Sequence, residues 1–284
     1  MKLLPYLAVA LLLTFSLSSC DLFKKDANLK NIEWETVEKR LDYNHPDLDS
    51  LAEANTLGSS FQAIIRLSFP KMERGKNAFL DSVTLLLEKR LVEEDTLLGE
   101  TPRETIDKFV AQRLAFFKSD YEEAKAEGYS EGVLSNYISL IEMTDTVMVV
   151  KEGIVSILTK TYENTGGAHP NQTSDAMSFD LVNQTQLTPE VLFKKDSEAK
   201  INDLIYQELL RKYQVTTGEE LEELGLFNYA DAKVTDNILL TSDGVSFLYN
   251  PYEIGAYVVG TVQVDLPYDA VAPYLSDEYA SLGK

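Results

Sequence analysis

Apolar and polar residues follow two spacings along this chain, and the spacings predict separate strands and amphipathic helices. Residues 32–41 and 61–69 alternate between apolar and polar side chains, as strands with one buried face do. Between residues 76 and 91 the apolar positions return every three or four residues, which predicts a helix. The sequence Thr-Pro-Arg-Glu at 101–104 supplies an N-cap, a proline at the first helical position and a capping-box glutamate, so a second helix should begin there and end near Gly128.

The second half of the chain is richer in strand-like segments. Strands are predicted at residues 137–150, 154–162, 176–181, 237–241, 245–249 and 257–266, the last with Val258, Val262, Val264 and Leu266 on one face. Helices are predicted after the pair Thr188 and Pro189, around an apolar stripe that begins at Ile201, and after a capping-box match at 217–220. We therefore expect an α+β protein of two packed halves, each a mainly antiparallel sheet with amphipathic helices.

The first residues differ from the rest of the chain and predict export. Lys2 precedes an almost wholly apolar run to Leu17, which is shorter than the roughly 20 residues of a membrane-spanning helix. Two serines then lead into Cys20, in the pattern Leu-Ser-Ser-Cys that is typical of a bacterial lipobox. We interpret residues 1–19 as a cleaved lipoprotein signal peptide and Cys20 as the lipidated N-terminus. The alternative is an ordinary secretory signal followed by an incidental cysteine.

The mature chain is predicted to have three parts. Residues 20–30 are polar and suit a short tether, residues 31–135 form an N-terminal α/β half, and residues 136–284 form a second domain. Acyl chains on Cys20 would hold the protein to a lipid bilayer, so we expect an envelope protein at the periplasmic or outer-membrane surface. We expect it to be a monomer.

Charge and cysteine usage exclude several classes of partner and site. The sequence has 26 Lys and Arg against 46 Asp and Glu, a net charge of -20, which repels nucleic acid and favours encounter with a basic protein. Solubility alone is the plainer explanation of that charge. Because Cys20 is the single cysteine and is assigned to the lipid, we expect neither disulfides nor cysteine-ligated zinc in the mature protein.

The sequence contains no complete catalytic set that we recognise. Two histidines, His45 and His169, are too few for a His-rich metal site, and no Gly-x-Ser-x-Gly motif is present. Acidic clusters at 93–95 and 219–223 are interpreted as solvated helix surface, since no EF-hand pattern surrounds them. A glycosidase needs only two carboxylates, so carboxylate chemistry stays open. The prediction is a protein that is not an enzyme and needs no cofactor or metal.

Two segments combine residues that favour a rigid recognition surface. In Gly-Gly-Ala-His-Pro at 166–170, adjacent glycines permit positive φ and the proline directs the histidine toward extended backbone, which predicts a rigid bend. Valine at Gly166 or at Gly167 should therefore destabilise the fold. His169 either bonds local backbone or contacts a partner, and Tyr252 and Glu253, in the segment 249–268, have the same two interpretations.

The chain also resembles a known family in these segments. The shared pattern is an aromatic strand leading to Gly-Gly-Ala-His-Pro, then Phe-Asp-Leu, Leu-Thr and Leu-Phe, and finally Pro-Tyr-Glu-Ile before a strand that ends Pro-Tyr. Its positions here are Gly166, Gly167, Ala168, His169, Pro170, Phe179, Asp180, Leu181, Leu187, Thr188, Leu192, Phe193, Pro251, Tyr252, Glu253, Ile254, Tyr257, Gly260, Pro267 and Tyr268. The pattern is similar to the extracytoplasmic domain of unknown function shared by the lysozyme-binding anti-sigma-V factor and certain peptidoglycan deacetylases.

The resemblance covers residues 139–275 and implies an accessory, non-catalytic domain at residues 136–284. It implies a lipid-anchored envelope protein that binds a basic, lysozyme-like muramidase; the alternative is a protein that binds or processes peptidoglycan or another glycan. The candidate binding residues are Tyr162, Gly166, Gly167, His169, Tyr252 and Glu253.

Overall fold

The fold described here is that of a computed structural model, which describes residues 29–45, 60–92, 94–134 and 137–283. The predicted signal peptide, the lipidation site Cys20 and the tether as far as residue 28 lie outside the described residues.

A mixed sheet forms the larger layer of the described part of the chain. Its six strands lie side by side in chain order. They are β1 (Trp34–Asn44), β2 (Ser60–Pro70), β3 (Ile138–Lys151), β4 (Ile154–Asn164), β5 (Asn171–Asp180) and β6 (Thr185–Gln186). β2 and β3 are parallel, whereas every other neighbouring pair in this sheet is antiparallel. The sheet is therefore mainly antiparallel, as predicted.

A smaller antiparallel sheet follows in the last third of the chain. Its strands are β7 (Ile238–Leu240), β8 (Gly244–Tyr249) and β9 (Val262–Pro267), in the order β7-β8-β9. A hairpin connects β7 and β8, and the Tyr268 backbone N–H donates to Asp243 O in its turn. Two sheets with helices confirm the predicted α+β class.

Three of the described helices begin at a residue whose side chain caps them. The described helices are α1 (Ala78–Leu91), α2 (Pro102–Ala126), α3 (Glu131–Leu134), α4 (Pro189–Leu192), α5 (Glu198–Tyr213), α6 (Gly218–Glu223) and α7 (Tyr268–Val271). Asn77 and Thr101 cap α1 and α2 through their side-chain oxygens, and Thr217 forms a full capping box with Glu220 on α6. Among the described helices, none has the length and apolar character needed to cross a bilayer.

Two hydrophobic cores stabilise these layers. α1 and α2 cover one face of the six-stranded sheet, where Phe61 and Ile65 of β2 pack in one cluster with Ile106 of α2. α5 covers the three-stranded sheet, and Ile205 packs in one cluster with Phe247. A small cluster of Ala176, Leu239 and Leu248 lies where β5 meets β7 and β8, so the smaller sheet packs against β4 and β5 of the larger one.

The larger sheet crosses the predicted boundary between residues 135 and 136. Strands β1 and β2 belong to the predicted N-terminal half, and β3, β4 and β5 belong to the predicted second domain, yet β2 pairs with β3 from Ser60 to Arg66. The core that contains Phe61 and Ile106 also contains Phe179 and Leu181, which come from the C-terminal side of that boundary. The boundary itself stays a prediction, but the two predicted segments share one sheet and one core.

One strand prediction is wrong at its beginning. Residues 257–266 were expected to form one strand with Val258 on the buried face, but Tyr257–Val259 is a 3-10 turn and Val258 is 89% exposed. Gly260 has φ +74°, a left-handed conformation that interrupts a strand. β9 begins at Val262 because its partner β8 ends at Tyr249, the residue that pairs with Val262.

Candidate functional site

The Gly-Gly-Ala-His-Pro segment is the exposed loop between β4 and β5. Gly166 has φ +80° and its backbone N–H donates to Asn164 Oδ1 at 3.0 Å, which closes the bend. Gly167 has no positive φ, and a Cβ placed on it would meet no atom within 4 Å. The predicted bend is present, but the backbone requirement for glycine applies to Gly166 alone.

A second turn, at residues 250–255, lies against the beginning of β5. Asn250 Oδ1 accepts from the Ser174 backbone N–H at 2.8 Å, so this turn is fastened to the outer edge of the strand. Glu253 Oε2 accepts from the Asn250 backbone N–H at 3.0 Å and closes the turn from within. Tyr252 stands in the left-handed region with φ +73°, which costs a tyrosine about 1–2 kcal/mol and projects its ring from the turn.

The two turns meet through three aromatic side chains. The Tyr252 hydroxyl lies 3.0 Å from His169 Nε2, and His169 stacks on Tyr257 with 3.7 Å between ring centroids and 16° between planes. His169 Nδ1 lies 3.2 Å from Pro170 O, a carbonyl that can only accept, so Nδ1–H donates to it. Nε2 of the neutral ring then accepts from the Tyr252 hydroxyl. We name His169, Tyr252, Tyr257 and Val258 the aromatic surface.

The aromatic surface is open to solvent although its three rings contact one another. The His169 side chain is exposed, Tyr252 is 58% exposed, and Val258 is 89% exposed. Exposed aromatic and aliphatic side chains in one patch are typical of interaction surfaces, where aromatic residues contribute most of the binding energy.

Carboxylates beside the aromatic surface give it a negative environment. Partial burial raises the pKa of the Glu253 carboxyl, the hydrogen bond from the Asn250 N–H offsets part of this rise, and the Asp175 carboxylate adds a smaller rise. Burial and Glu253 also raise the pKa of Tyr249, at the end of β8. Glu253 therefore has two roles, since it closes the turn that carries Tyr252 and places a titratable acid beside it.

The predicted candidate residues separate into two groups in the structure. Gly166, His169, Tyr252 and Glu253 build the aromatic surface and its turns, whereas Tyr162 lies on β4, between Glu142 of β3 and Gln172 of β5. Among the described residues, no ring contact or hydrogen bond joins Tyr162 to the aromatic surface.

Sequence reasoning missed Tyr257 and Val258 as parts of this surface. Both were assigned to the strand at residues 257–266, with Val258 on its buried face. The available signal was Gly260, because a glycine inside a strand pattern often marks an interruption of the strand.

The other histidine lies in a different environment. His45 is buried, stacks on Tyr121 with ring centroids 3.9 Å apart, and has Nε2 3.4 Å from Glu122 Oε1. Across the described ranges, no group of three or more His, Cys, Asp or Glu side chains is arranged to hold a metal ion.

Known protein families match two adjacent segments of the chain. Residues 92–172 match the family described as Deacetylase PdaC, and residues 190–269 match the family described as Protein of unknown function (DUF3298). We call these two matched ranges the PdaC segment and the DUF3298 segment, after the families that they resemble. His169 lies in the PdaC segment, and Tyr252, Tyr257 and Val258 lie in the DUF3298 segment, so the aromatic surface is built by both. The two matches support the predicted resemblance to a deacetylase-associated domain of unknown function.

Solved DUF3298 structures share the fold. A member of the family from Bacteroides fragilis has a TM-score of 0.74 and 24% identity, over 89% of this chain and 97% of that one. A family member from Pseudomonas aeruginosa PAO1 has a TM-score of 0.57 and 14% identity, over 88% of this chain and 98% of that one. At these identities the likeness concerns the fold.

Curated relatives match about half of the chain. They are Immunogenic protein MPB64 of Mycobacterium bovis and Immunogenic protein MPT64 of Mycobacterium tuberculosis, each 26% identical over 144 residues. The match covers 49% of this chain and 60% of the length of those relatives.

Proposed function

We propose that this chain is a lipid-anchored envelope protein that binds a basic protein of the lysozyme type through its aromatic surface. The PdaC and DUF3298 matches suggest a cell-envelope-associated protein. The lipid anchor is proposed from the sequence that leads to Cys20. The basic partner is proposed from the net charge and from the exposed aromatic surface.

The exposure of the aromatic surface is the observation that carries the proposal. Tyr252 and Val258 are exposed on turns that other contacts hold in place. Asn250 Oδ1 accepts from the Ser174 N–H of β5, and His169 stacks on Tyr257. A preorganised patch loses little conformational entropy when a partner covers it, and tyrosine is enriched among residues that dominate interface energies.

Charge supports a basic partner. The net charge of -20 attracts a cationic protein over distances near the Debye length, about 8 Å at physiological salt. Glu253 adds a carboxyl group in the turn that carries Tyr252. Long-range attraction would speed the encounter, and the aromatic contacts would fix the bound orientation.

A binding role fits the bonding of His169 better than a catalytic one. Its two ring nitrogens are both engaged, Nδ1 with Pro170 O and Nε2 with the Tyr252 hydroxyl. A general base needs a nitrogen within reach of the proton that it removes. The histidine instead connects the two turns, so we assign it a positioning role.

The lipid anchor has its own test. Radiolabelled palmitate should enter the wild-type chain in its host and fail to enter the Cys20→Ser variant. Labelling that survives this substitution would overturn the anchor and leave a secreted protein.

Calorimetry tests the proposed partner. Hen-type lysozyme is titrated into the chain at about 0.15 M salt, where steering between exposed charges is largely screened. Cytochrome c, which is similarly basic but lacks a muramidase cleft, serves as the control. We expect a saturable heat with lysozyme alone. Equal binding of both proteins, or binding of neither, would overturn the lysozyme assignment.

A further inference from the structure

A cleft of about 350 Å³ opens on the helix-covered face of the six-stranded sheet. Its walls come from the end of α1, the middle of α2 and the strands β3, β4 and β5. None of the four residues of the aromatic surface lines it. The cleft is therefore a separate feature, and its volume lies at the small end of the range of ligand sites.

Four charged side chains, each from a different element, line this cleft. Arg113 of α2 pairs with Glu163 of β4. Arg90 of α1 lies 3.9 Å from Asp175 of β5, from Nη1 to Oδ1, and its Nη2 donates to the Ala176 carbonyl at 2.7 Å. The side chains of these four residues are between 23% and 40% exposed, so each retains atoms open to the cleft.

The charges in the cleft nearly cancel, which argues against an ionic ligand. Two guanidinium groups face Glu163, Asp175 and the exposed Glu94 at the rim. An anion would lie beside carboxylates and a cation beside guanidinium groups, and each like-charge contact costs binding energy. A neutral ligand with many hydroxyl groups meets no such penalty.

Apolar residues give the cleft a second kind of wall. Phe109 is 8% exposed and lies at its base, whereas Phe116 is 53% exposed at its opening. Thr161 and Thr173, neighbours on β4 and β5, add uncharged hydroxyl groups. An aromatic ring beside convergent donors and acceptors matches a ligand with one apolar face and a polar edge.

From this lining we infer that the cleft binds a neutral saccharide. Ring hydroxyls would donate to Glu163 and Asp175 and accept from Arg90 and Arg113, and the C–H face of a sugar ring would stack on Phe116. The volume accommodates one or two sugar rings, so longer glycans would extend out of the opening. This ligand class and this site are distinct from the basic protein proposed for the aromatic surface.

Titration of the purified chain with two neutral trisaccharides tests this inference. N,N′,N″-triacetylchitotriose and cellotriose are followed by calorimetry and by amide chemical shifts up to about 10 mM, since a single small site can be as weak as about 1 mM. We expect saturable binding of at least one trisaccharide, with shifts at residues that line the cleft. No binding of either sugar overturns the inference.

Two exposed phenylalanines supply the matched variants. Phe116→Ala should weaken trisaccharide binding at least tenfold, whereas Phe227→Ala, which removes a side chain that is 52% exposed elsewhere, should leave it unchanged. Asp175→Asn should weaken binding as well, because it removes the acceptor charge while keeping the shape. Equal effects of the two phenylalanine variants, or no effect of either, would place the sugar elsewhere and overturn the site. Lysozyme binding should be unaffected by Phe116→Ala, which separates this test from that of the proposed function.

Discussion

The Tyr252 hydroxyl lies 3.0 Å from His169 Nε2 and joins two turns whose residues are 83 positions apart in the sequence. On the other side of the ring, Nδ1 lies 3.2 Å from Pro170 O. In the neutral imidazole, these two contacts favour the tautomer with the proton on Nδ1. The exposed turns are thus held in one arrangement by a histidine and a tyrosine.

The tautomer of His169 gives the first prediction. Tyr252→Phe keeps the ring but removes the hydroxyl that donates to Nε2, so the fraction of His169 with the proton on Nε2 should rise. Long-range proton–nitrogen NMR spectra near pH 8 measure that fraction, with buried His45 as an internal reference. The cost in unfolding free energy should be about 0.5–1 kcal/mol, the usual net value of one hydrogen bond. An unchanged tautomer fraction would contradict the assigned hydrogen bond.

The two glycines of the bend should respond differently to substitution. Gly166→Val places a β-branched residue at φ +80° and should lower the unfolding free energy by about 1–3 kcal/mol. Gly167→Val should cost less than about 0.5 kcal/mol, because a Cβ there meets no atom within 4 Å and φ is not positive. Urea denaturation of both variants measures the difference. Equal losses of unfolding free energy would show that the positive φ does not explain why glycine occupies position 166.

The buried carboxylate of Glu88 should stabilise the N-terminal half. Glu88 is fully buried, accepts from Thr105 Oγ1 at 2.8 Å and from Arg74 Nη2 at 2.5 Å, and so ties α1 to α2 and to the loop after β2. Glu88→Ala should cost about 2 kcal/mol or more, since it leaves a cavity and two unmatched donors. Glu142→Ala, at an exposed position of β3, should cost less than about 0.5 kcal/mol. Similar midpoints for both variants in urea would contradict the structural role.

Asp145 should make stability depend on pH. Burial raises the pKa of its carboxyl, and hydrogen bonds from the Ser68 N–H at 2.7 Å and the Ser68 hydroxyl at 2.9 Å offset this only in part. Because the folded-state pKa lies above the unfolded value near 3.9, the contribution of Asp145 to stability is fully present below about pH 3.9. It is lost as the pH rises through the folded-state pKa.

Asp145→Asn isolates this effect, because asparagine imitates the protonated acid. The unfolding free energy of the wild type relative to the variant should fall as the pH is raised from about 3.5 toward 7. Urea denaturation at several pH values gives this difference. A difference that is constant with pH, or that rises, would contradict the raised pKa.

Elements with local signals could be predicted from the sequence. The capping box at Thr217 and Glu220 and the N-cap at Thr101 depend on residues a few positions apart, and both are present. The pairing of β2 with β3 could not be predicted, because parallel neighbours are set by packing across a long connection. For the same reason the sequence predicted two halves and did not predict one sheet shared between them.

The candidate site could be predicted in its residues but not in its contacts. His169 and Tyr252 were both singled out, yet their hydrogen bond depends on Asn250 fastening its turn to Ser174 of β5. Val258 was assigned to a buried strand face because its spacing from Val262 fits a period of two. A period of two carries no information on where the partner strand ends, and β8 ends at the residue opposite Val262.

Two exposed valines allow the role of the aromatic surface to be measured directly. Val258 is 89% exposed within the aromatic surface, and Val149 is 73% exposed on β3. Val258→Asp and Val149→Asp change the net charge by the same amount, so attraction that depends on net charge alone is matched between the two variants. A loss of binding in one variant alone therefore reports contact with the partner.

The deciding measurement is the lysozyme dissociation constant of these two variants by calorimetry at about 0.15 M salt. Val258→Asp should weaken binding at least tenfold, which corresponds to about 1.4 kcal/mol, and Val149→Asp should stay within about twofold of the wild type. Equal dissociation constants for the two variants would contradict the assignment of partner binding to the aromatic surface.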